Sequence, residues 1–489
     1  MLFNSHIFML LFLPLLLAGW YFLNWKKKFQ LAQGYLIGMS LWFYAYANLQ
    51  YLWLLLFSCL IGWLLSCLPE KISSEKGKKV LTGVGCVFHL GLLGYFKYSN
   101  FFLENLNTVF HTDFPMLQIL LPVGLSFYTF QQLAYLIDRC RGDAPRDSFF
   151  DYLTFMVYFP QLLQGPILLR SEFMGQLKEP ERRRFHAERF SEGIQFFVFG
   201  LAKKVLLADT LAKAVNYGYS NVSMLDSISA LLLAVGYLTE LYFDFSGYCD
   251  MAVGLGKMIG LEVAENFDAP FHSASVKEFW RRWHMTLGRF FTRYVYIPLG
   301  GNRKGKMRTL CNVMIVMLLS GLWHGAAWTF VLWGFLHGVG MIWDNLEHPH
   351  LPKKWMRQAV TFAYVCMTFV FFRAESIAQG FDVLKSIVSL KWNGFVFQMA
   401  SALDLTEFYM ITKALSMKLP GLLSWFWLGI FVVLIAICVR VLSGEKVSGV
   451  VALQKQKGYG RLYPVLLAVL FTWSMISMTG VSEYLYFSF

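Results

Sequence analysis

Charge is what this sequence has least of. Only 15% of its 489 residues are Asp, Glu, Lys or Arg, against about 25% in soluble domains, which excludes an ordinary water-soluble fold. Acids are scarcer than bases, 30 against 43, and the formal net charge is +13. The basic residues flank apolar runs, so they suit loops facing anionic membrane lipid on the cytoplasmic side and not nucleic acid. The eight cysteines include no CxxC pair and no metal-ligand spacing, which weighs against a disulfide framework or a metal site. No internal repeat is visible, and that weighs against an inverted-repeat transporter. The apolar run 7–23 has neither a basic flank before it nor a small-x-small cleavage site, so it reads as a retained first span.

Apolar and aromatic residues are what the chain has instead: 57% are hydrophobic, with 47 Phe and 16 Trp. This composition predicts an all-α polytopic membrane protein, a single domain over 1–489 with about ten to twelve transmembrane helices plus re-entrant and interfacial ones. Spans are expected at 7–23, 80–96, 119–137, 190–207, 227–245, 358–372, 422–439 and 463–478. A helical hairpin is expected over 31–68, turning near Ala47-Asn48. Lys26 to Lys28 and the lysines at 71, 76, 78 and 79 put two loops on the cytoplasmic side, with Met1 outside. A third basic loop carries Lys446, Lys455, Lys457 and Arg461. The charged stretch 178–190 and the Lys203-Lys204 pair are expected at a membrane surface. Tyr484, Tyr486, Phe487 and Phe489 read as an interfacial aromatic belt.

Some polar residues sit where hydrocarbon would penalise them. The 119–137 run holds Thr129, Gln131 and Gln132, so that helix faces the protein interior, either for helix–helix hydrogen bonds or to line a pathway. Pro160, Gly165 and Pro166 interrupt the 152–169 run around Gln161 and Gln164. Broken backbone there reads as a re-entrant or kinked element beside a cavity. Glu240 and Asp244 fall one helical turn apart, with Asp250 beyond. They suit paired acid–base chemistry, a metal, or ionic partners for the basic run after 277.

That basic run opens the central segment, 275–345. Glu278-Phe-Trp-Arg-Arg-Trp-His284 leads through Arg289 to Arg293-Tyr-Val-Tyr-Ile-Pro-Leu-Gly-Gly-Asn-Arg303, Lys304 and Lys306. From Lys277 to Arg308 there are nine Lys or Arg and one Glu, too much charge to lie in hydrocarbon. The apolar run 307–346 then reads as membrane-embedded and carries Gly321-Leu-Trp-His-Gly325 and His337-Gly338. Neutral His, with an ordinary pKa near 6.5, suits proton abstraction from a hydroxyl, and it can also form a covalent acyl intermediate. His324 fits either role, or that of a histidine bonded to a neighbouring helix. Gly321 and Gly325 permit close approach, and Trp323 and Trp328 are expected to wall a dry pocket. His337 lies about 20 Å further along a straight helix. It cannot share a site with His324 unless the helix breaks, and it reads as a structural or pathway residue.

Several of these pieces together resemble the membrane-bound O-acyltransferase superfamily. Within it they resemble the bacterial branch containing the alginate O-acetyltransferase membrane subunit and the teichoic acid D-alanylation membrane protein. The resemblance is carried by Met1-Leu-Phe-Asn-Ser, Pro122-Val-Gly-Leu-Ser-Phe-Tyr-Thr-Phe-Gln131, Tyr158-Phe-Pro-Gln-Leu-Leu-Gln-Gly-Pro166, Phe279-Trp-Arg-Arg-Trp-His284, Tyr294 to Arg303, Leu322-Trp-His-Gly-Ala-Ala-Trp328 and Tyr486-Phe-Ser-Phe489. Where the branch has Arg-Asp before the tyrosine, this chain has Thr292-Arg293. The resemblance implies a multi-pass enzyme of the bacterial inner membrane with His324 and His284 as catalytic residues at a shared tunnel. Arg281, Arg282, Arg289, Arg293, Arg303 and Lys304 are then candidates to grip donor phosphates. Trp283, Trp323, Trp328, Gln131, Gln161, Gln164 and His337 are candidates for the pocket or pathway. The implied donor is acetyl-CoA or an acyl-carrier-protein thioester, with no tightly bound cofactor and no metal. The implied acceptor is an exported polysaccharide such as alginate, reached through a separate extracytoplasmic esterase-like partner. D-alanyl transfer toward teichoic acid, peptidoglycan O-acetylation and a non-enzymatic glycan exporter are the other readings.

Overall fold

Helices account for nearly all the regular structure, and the described residues contain no strand. The structure, a computed structural model, describes all residues except 347–351, 459, 461, 479–483 and 486–489, and the side chains at 47 and 48. Arg461 of the third basic loop and Tyr486, Phe487 and Phe489 of the expected aromatic belt therefore lie outside the described residues. Seven described helices are long and apolar enough to cross a membrane: Phe8–Trp25, Leu49–Lys71, Glu75–Phe110, Ser227–Ile259, Lys306–His324, Lys354–Arg373 and Pro420–Gly444.

The chain divides into two compact units. One comprises Met1–Phe199, Tyr248–Glu265 and Thr286–Pro298, and the other Gly200–Gly247, Asn266–Met285 and Leu299–Phe489. In the first unit the expected hairpin is two helices, Phe29–Asn48 and Leu52–Cys67. Its core is aromatic: Phe3 stacks on Tyr248 at 4.7 Å between centroids, and Phe43 and Phe12 pack on Phe159 at 5.3 and 5.4 Å. The expected span at 80–96 is part of a longer helical run, because an inserted π-turn at Gly94–Tyr98 carries the helix on to Phe110. Helix Leu125–Arg141 starts after left-handed Gly124 and buries Thr129, Gln131 and Gln132.

The 152–169 stretch is broken, as its prolines predict. Helix Phe149–Val157 stops, a single turn Phe159–Leu162 follows, and irregular backbone runs to helix Arg170–Leu177. Backbone freed in this way must be satisfied internally. The amides of Gln131 and Gln161 both donate to the Phe155 carbonyl, and the Ile167 N–H donates to Thr286 Oγ1 at 3.1 Å. Gln164 is fully buried in the same stretch.

The second unit corrects the surface expectation for Lys204 and the expected ionic partner of the acid Asp244. Lys204 sits in a π-turn, Lys203–Ala208, and is buried, not at a membrane surface. Its ammonium reaches Asp244 at 2.7 Å and Asp209 at 2.8 Å. Asp244 also accepts from the Leu485 N–H at 3.1 Å. The intramembrane acid is thus matched by a lysine 40 residues away and not by the basic run after 277. Pairing of this kind is what allows an ionisable residue to persist inside a membrane helix.

The apolar run 307–346 is not one straight helix. It is two helices, Lys306–His324 and Trp328–Asn345, folded back on each other with residues 325–327 between them. Facing glycines permit this. A Cβ on Gly321 would run into the Phe330 carbonyl, and one on Gly334 would lie 2.5 Å from the Met317 carbonyl oxygen. Gly338 meets Met314 in the same way, 2.7 Å from its sulfur. The two helices therefore come closest where Gly321 faces Gly334, with Gly338 against Met314 one turn further along.

Candidate active site

The hairpin turn determines where His324 lies. His324 is the last residue of its helix, and Gly325 follows in extended conformation. The imidazole is buried in an aromatic shell: Trp323 at 5.0 Å, Trp333 at 5.1 Å and Phe372 at 5.2 Å between centroids. Phe372 comes from the neighbouring helix Lys354–Arg373. Trp333 enters because the chain reverses, which puts one turn of the second helix over the end of the first.

His284 approaches from a different part of the same unit. It joins helices Val276–Arg282 and Met285–Phe291 in left-handed conformation, φ +46°, which a non-glycine residue adopts only when its surroundings enforce it. Asn266 supplies the enforcement twice. Its side-chain oxygen accepts from His284 Nδ1 at 3.2 Å, and its carbonyl accepts from the Met285 N–H at 3.0 Å. An Nδ1–H donor leaves the lone pair on Nε2. The His284 ring packs edge-on to Phe245 at 4.8 Å and lies 6.4 Å from His324 and 6.1 Å from Trp323. The two imidazoles, 40 residues apart in sequence, thus lie close together, both buried among largely aromatic side chains. Imidazoles placed together in this way can take a proton from a hydroxyl and return it.

His337 has a different role. Trp280 Nε1–H, which can only donate, bonds His337 Nδ1 at 3.2 Å. The ring proton is therefore on Nε2, which donates to Thr368 Oγ1 at 2.9 Å, and that hydroxyl donates onward to the Val365 carbonyl at 2.8 Å. Both ring nitrogens are engaged, so His337 is a fixed part of the wall. The broken helix does bring it near His324, with Trp333 between them, 4.8 Å from His337.

The other sequence candidates divide by environment. Trp283 is buried against Phe279, Phe267 and Phe369, at 5.3, 5.1 and 5.5 Å. Trp323 lies against both histidines, whereas Trp328 is 55% exposed and lies outside that wall; Trp333 takes the position expected of it. Gln131, Gln161 and Gln164 belong to the first unit. Arg282 is paired with Glu278 at 2.8 Å. Arg289 grips Glu172 with two nitrogens and also bonds the Ile167 carbonyl. Arg293 bonds Asp138 at 3.0 Å and Asp143 at 3.2 Å, while Tyr294 donates to Asp138 at 2.9 Å. Asp138 thus supplies the carboxylate that Thr292-Arg293 lacks locally. Arg289 and Arg293 line an open groove of about 770 Å³ with Arg141 and Ser171. Arg281, Arg303 and Lys304 are exposed.

Sequence reasoning did not single out Asn266, Phe245, Trp333, Thr368 or Phe372. Trp333 and His337, four apart on a helix, offered a signal as a shared face; Asn266 offered none, since only folding brings it to His284. Among the described residues no three His, Cys, Asp or Glu side chains gather as metal ligands.

The comparisons with known proteins centre on this segment. The profile of MBOAT, the membrane-bound O-acyltransferase family, matches residues 142–379, which include both histidines. A peptidoglycan O-acetyltransferase of Helicobacter pylori is 35% identical over 423 residues, 80% of each chain. A probable alginate O-acetylase of Azotobacter vinelandii is 39% identical over 389 residues, 77% of this chain and 76% of its own. A teichoic acid D-alanyltransferase of Bacillus subtilis is 27% identical over 271 residues, 52% of this chain and 69% of its own. Identity of this extent, running through the segment that brings the two imidazoles together, makes the chain a member of the membrane-bound O-acyltransferase family, and its activity that of an acyltransferase.

Proposed function

We propose that this protein transfers an acetyl group from a cytoplasmic thioester toward hydroxyls of an exported polysaccharide, alginate or a glycan like it. The observation that carries the reading is the pair of buried imidazoles, His324 and His284, 6.4 Å apart between centroids among aromatic side chains. His324 takes the proton of the attacking hydroxyl as its oxygen bonds the acyl carbon. The tetrahedral centre then collapses, the carbon–sulfur bond breaks, and the thiolate takes the proton back from His324. His284, held by Asn266, hydrogen-bonds the hydroxyl while it reacts. The side chains packed around the two rings are mostly apolar and aromatic, which suits an acetyl group better than the ammonium of a D-alanyl group. The alginate-type relatives at up to 39% identity support acetyl, and the teichoic acid relative matches only about half of this chain.

The donor is acetyl-CoA or an acyl-carrier-protein thioester. Its phosphates are bound on the cytoplasmic side by Arg281, Arg303 and Lys304, which are exposed. The protein resides in the bacterial inner membrane with its N-terminus outside and its basic loops against anionic lipid. An extracytoplasmic esterase-like partner completes the transfer. Peptidoglycan is the second reading for the acceptor, favoured by a relative that covers 80% of both chains.

Mild base releases ester-linked groups for mass spectrometry, from exported polysaccharide and from the cell-wall sacculus separately. Acetate from the polysaccharide, lost in a His324→Ala strain that still inserts the protein and exports the glycan, is the expected result. Acetate lost from the sacculus alone moves the acceptor to peptidoglycan. Alanine lost with acetate unchanged overturns the acetyl assignment. Failure of the glycan to leave the cell would favour an exporter.

A further inference from the structure

We infer that Trp333 is a catalytic hydrogen-bond donor, its indole N–H serving the acyl carbonyl oxygen as that oxygen gains negative charge. The inference rests on the acyl-transfer reading of His324 and assigns that reaction a group the sequence did not single out. Trp333 is 1% exposed, and its Nε1 is buried without a hydrogen-bond partner. An indole N–H has no other polar function than donating, and a buried donor left unmatched is costly. Trp280, the neighbouring indole at 5.6 Å, is in the opposite condition, its N–H committed to His337. Of these two neighbouring indoles, the one with the unmatched donor is the one that lies against His324. The two rings are perpendicular, at 89° and 5.1 Å between centroids.

The surroundings hold that indole rigidly. His337 lies against it at 4.8 Å with both nitrogens fixed, Phe372 packs at 5.0 Å and Phe369 at 5.5 Å. A donor that cannot reorient, in a site that excludes water, is the arrangement that stabilises an oxyanion with little reorganisation. In the reaction the hydroxyl oxygen bonds the acyl carbon, the carbonyl π pair moves to oxygen, and the Trp333 N–H donates to it. The pair returns to the carbon–oxygen bond as the carbon–sulfur bond breaks. Trp333 gives up no proton at any step.

The test replaces the N–H and keeps the ring. Trp333 is exchanged for 3-benzothienylalanine by nonsense suppression, which puts sulfur where the indole has N–H, and Trp333→Phe serves as the genetically simple companion. Cells with equal amounts of each protein in the membrane are assayed for the initial rate of base-labile acetate appearing on the glycan. Thermal unfolding of the purified proteins is measured alongside. The benzothienyl protein is expected to unfold as wild type does and to acetylate about 100-fold more slowly, the usual loss of one oxyanion donor. A wild-type rate in the benzothienyl protein overturns the inference and leaves the role of His324 standing. If the wild-type protein itself yields no acetate ester, or His324→Ala acetylates normally, the underlying reading falls and this inference with it. Trp333→Phe that loses activity only in proportion to its folded fraction, with the benzothienyl protein active, assigns the ring a packing role alone.

Discussion

His284 adopts a backbone conformation that only glycine takes without strain, and Asn266 is what holds it there. Removing that amide strands the His284 Nδ1–H and loosens the corner. Asn266→Ala is expected to cost about 1–3 kcal/mol of stability, read as a lowered melting temperature in detergent. It should also slow acetylation while the protein still reaches the membrane. Wild-type acetylation from Asn266→Ala would show that the orientation of His284 is immaterial. The histidines themselves were legible in the sequence. His324 stands out as an ionisable group between glycines and tryptophans in an apolar run, and His284 as the end of a dense aromatic-basic motif. What they touch was not legible. Asn266 lies in an irregular loop without periodicity, and nothing local ties it to a residue 18 positions on. The same limit applies to Lys204. Its charge suggested a surface, and only the fold reveals Asp244 and Asp209 around it.

At the scale of elements, the paired helices Lys306–His324 and Trp328–Asn345 owe their contact to glycine. Gly321→Ala places a methyl group against the Phe330 carbonyl, which is backbone and cannot swing aside. Overpacking of this kind costs about 1–3 kcal/mol, and the separation it forces would pull Trp333 off His324. Gly429→Ala, in helix Pro420–Arg440 with nothing within 4 Å of the added carbon, should be neutral or stabilising through helix propensity. Thermal unfolding of the two proteins side by side checks the contrast, and equal melting temperatures would refute the tight seam. The hairpin turn escaped the sequence reading for a physical reason. Residues 325–327, Gly-Ala-Ala, are uncharged and small, and a turn within a membrane protein needs no polar residue to mark it. Hydropathy therefore ran straight through. The broken 152–169 stretch was legible because proline leaves a mark that hydropathy cannot hide.

For the whole molecule, the low charge together with apolar runs long enough to span a bilayer pointed to an all-α membrane protein. Sidedness remains a prediction from its lysines. Single cysteines introduced between 71 and 79 and between 178 and 189 are expected to react with a membrane-impermeant maleimide only after the cells are opened. Labelling in intact cells would invert the topology. Two helices joined by three residues also have a bearing on assembly. Their mutual contacts all fall within a stretch of 40 residues, from 306 to 345, and contacts closed over short stretches of chain form earlier and faster than distant ones. His324, Trp333 and His337 all lie on this one hairpin, whereas Phe369 and Phe372 come from the helix made after it. A chain still being synthesised thus meets its own wall tryptophan before its phenylalanines. A nascent protein that has emerged from the ribosome as far as residue 345 would already hold the histidine against the indole, with the face later covered by Phe369 and Phe372 still open.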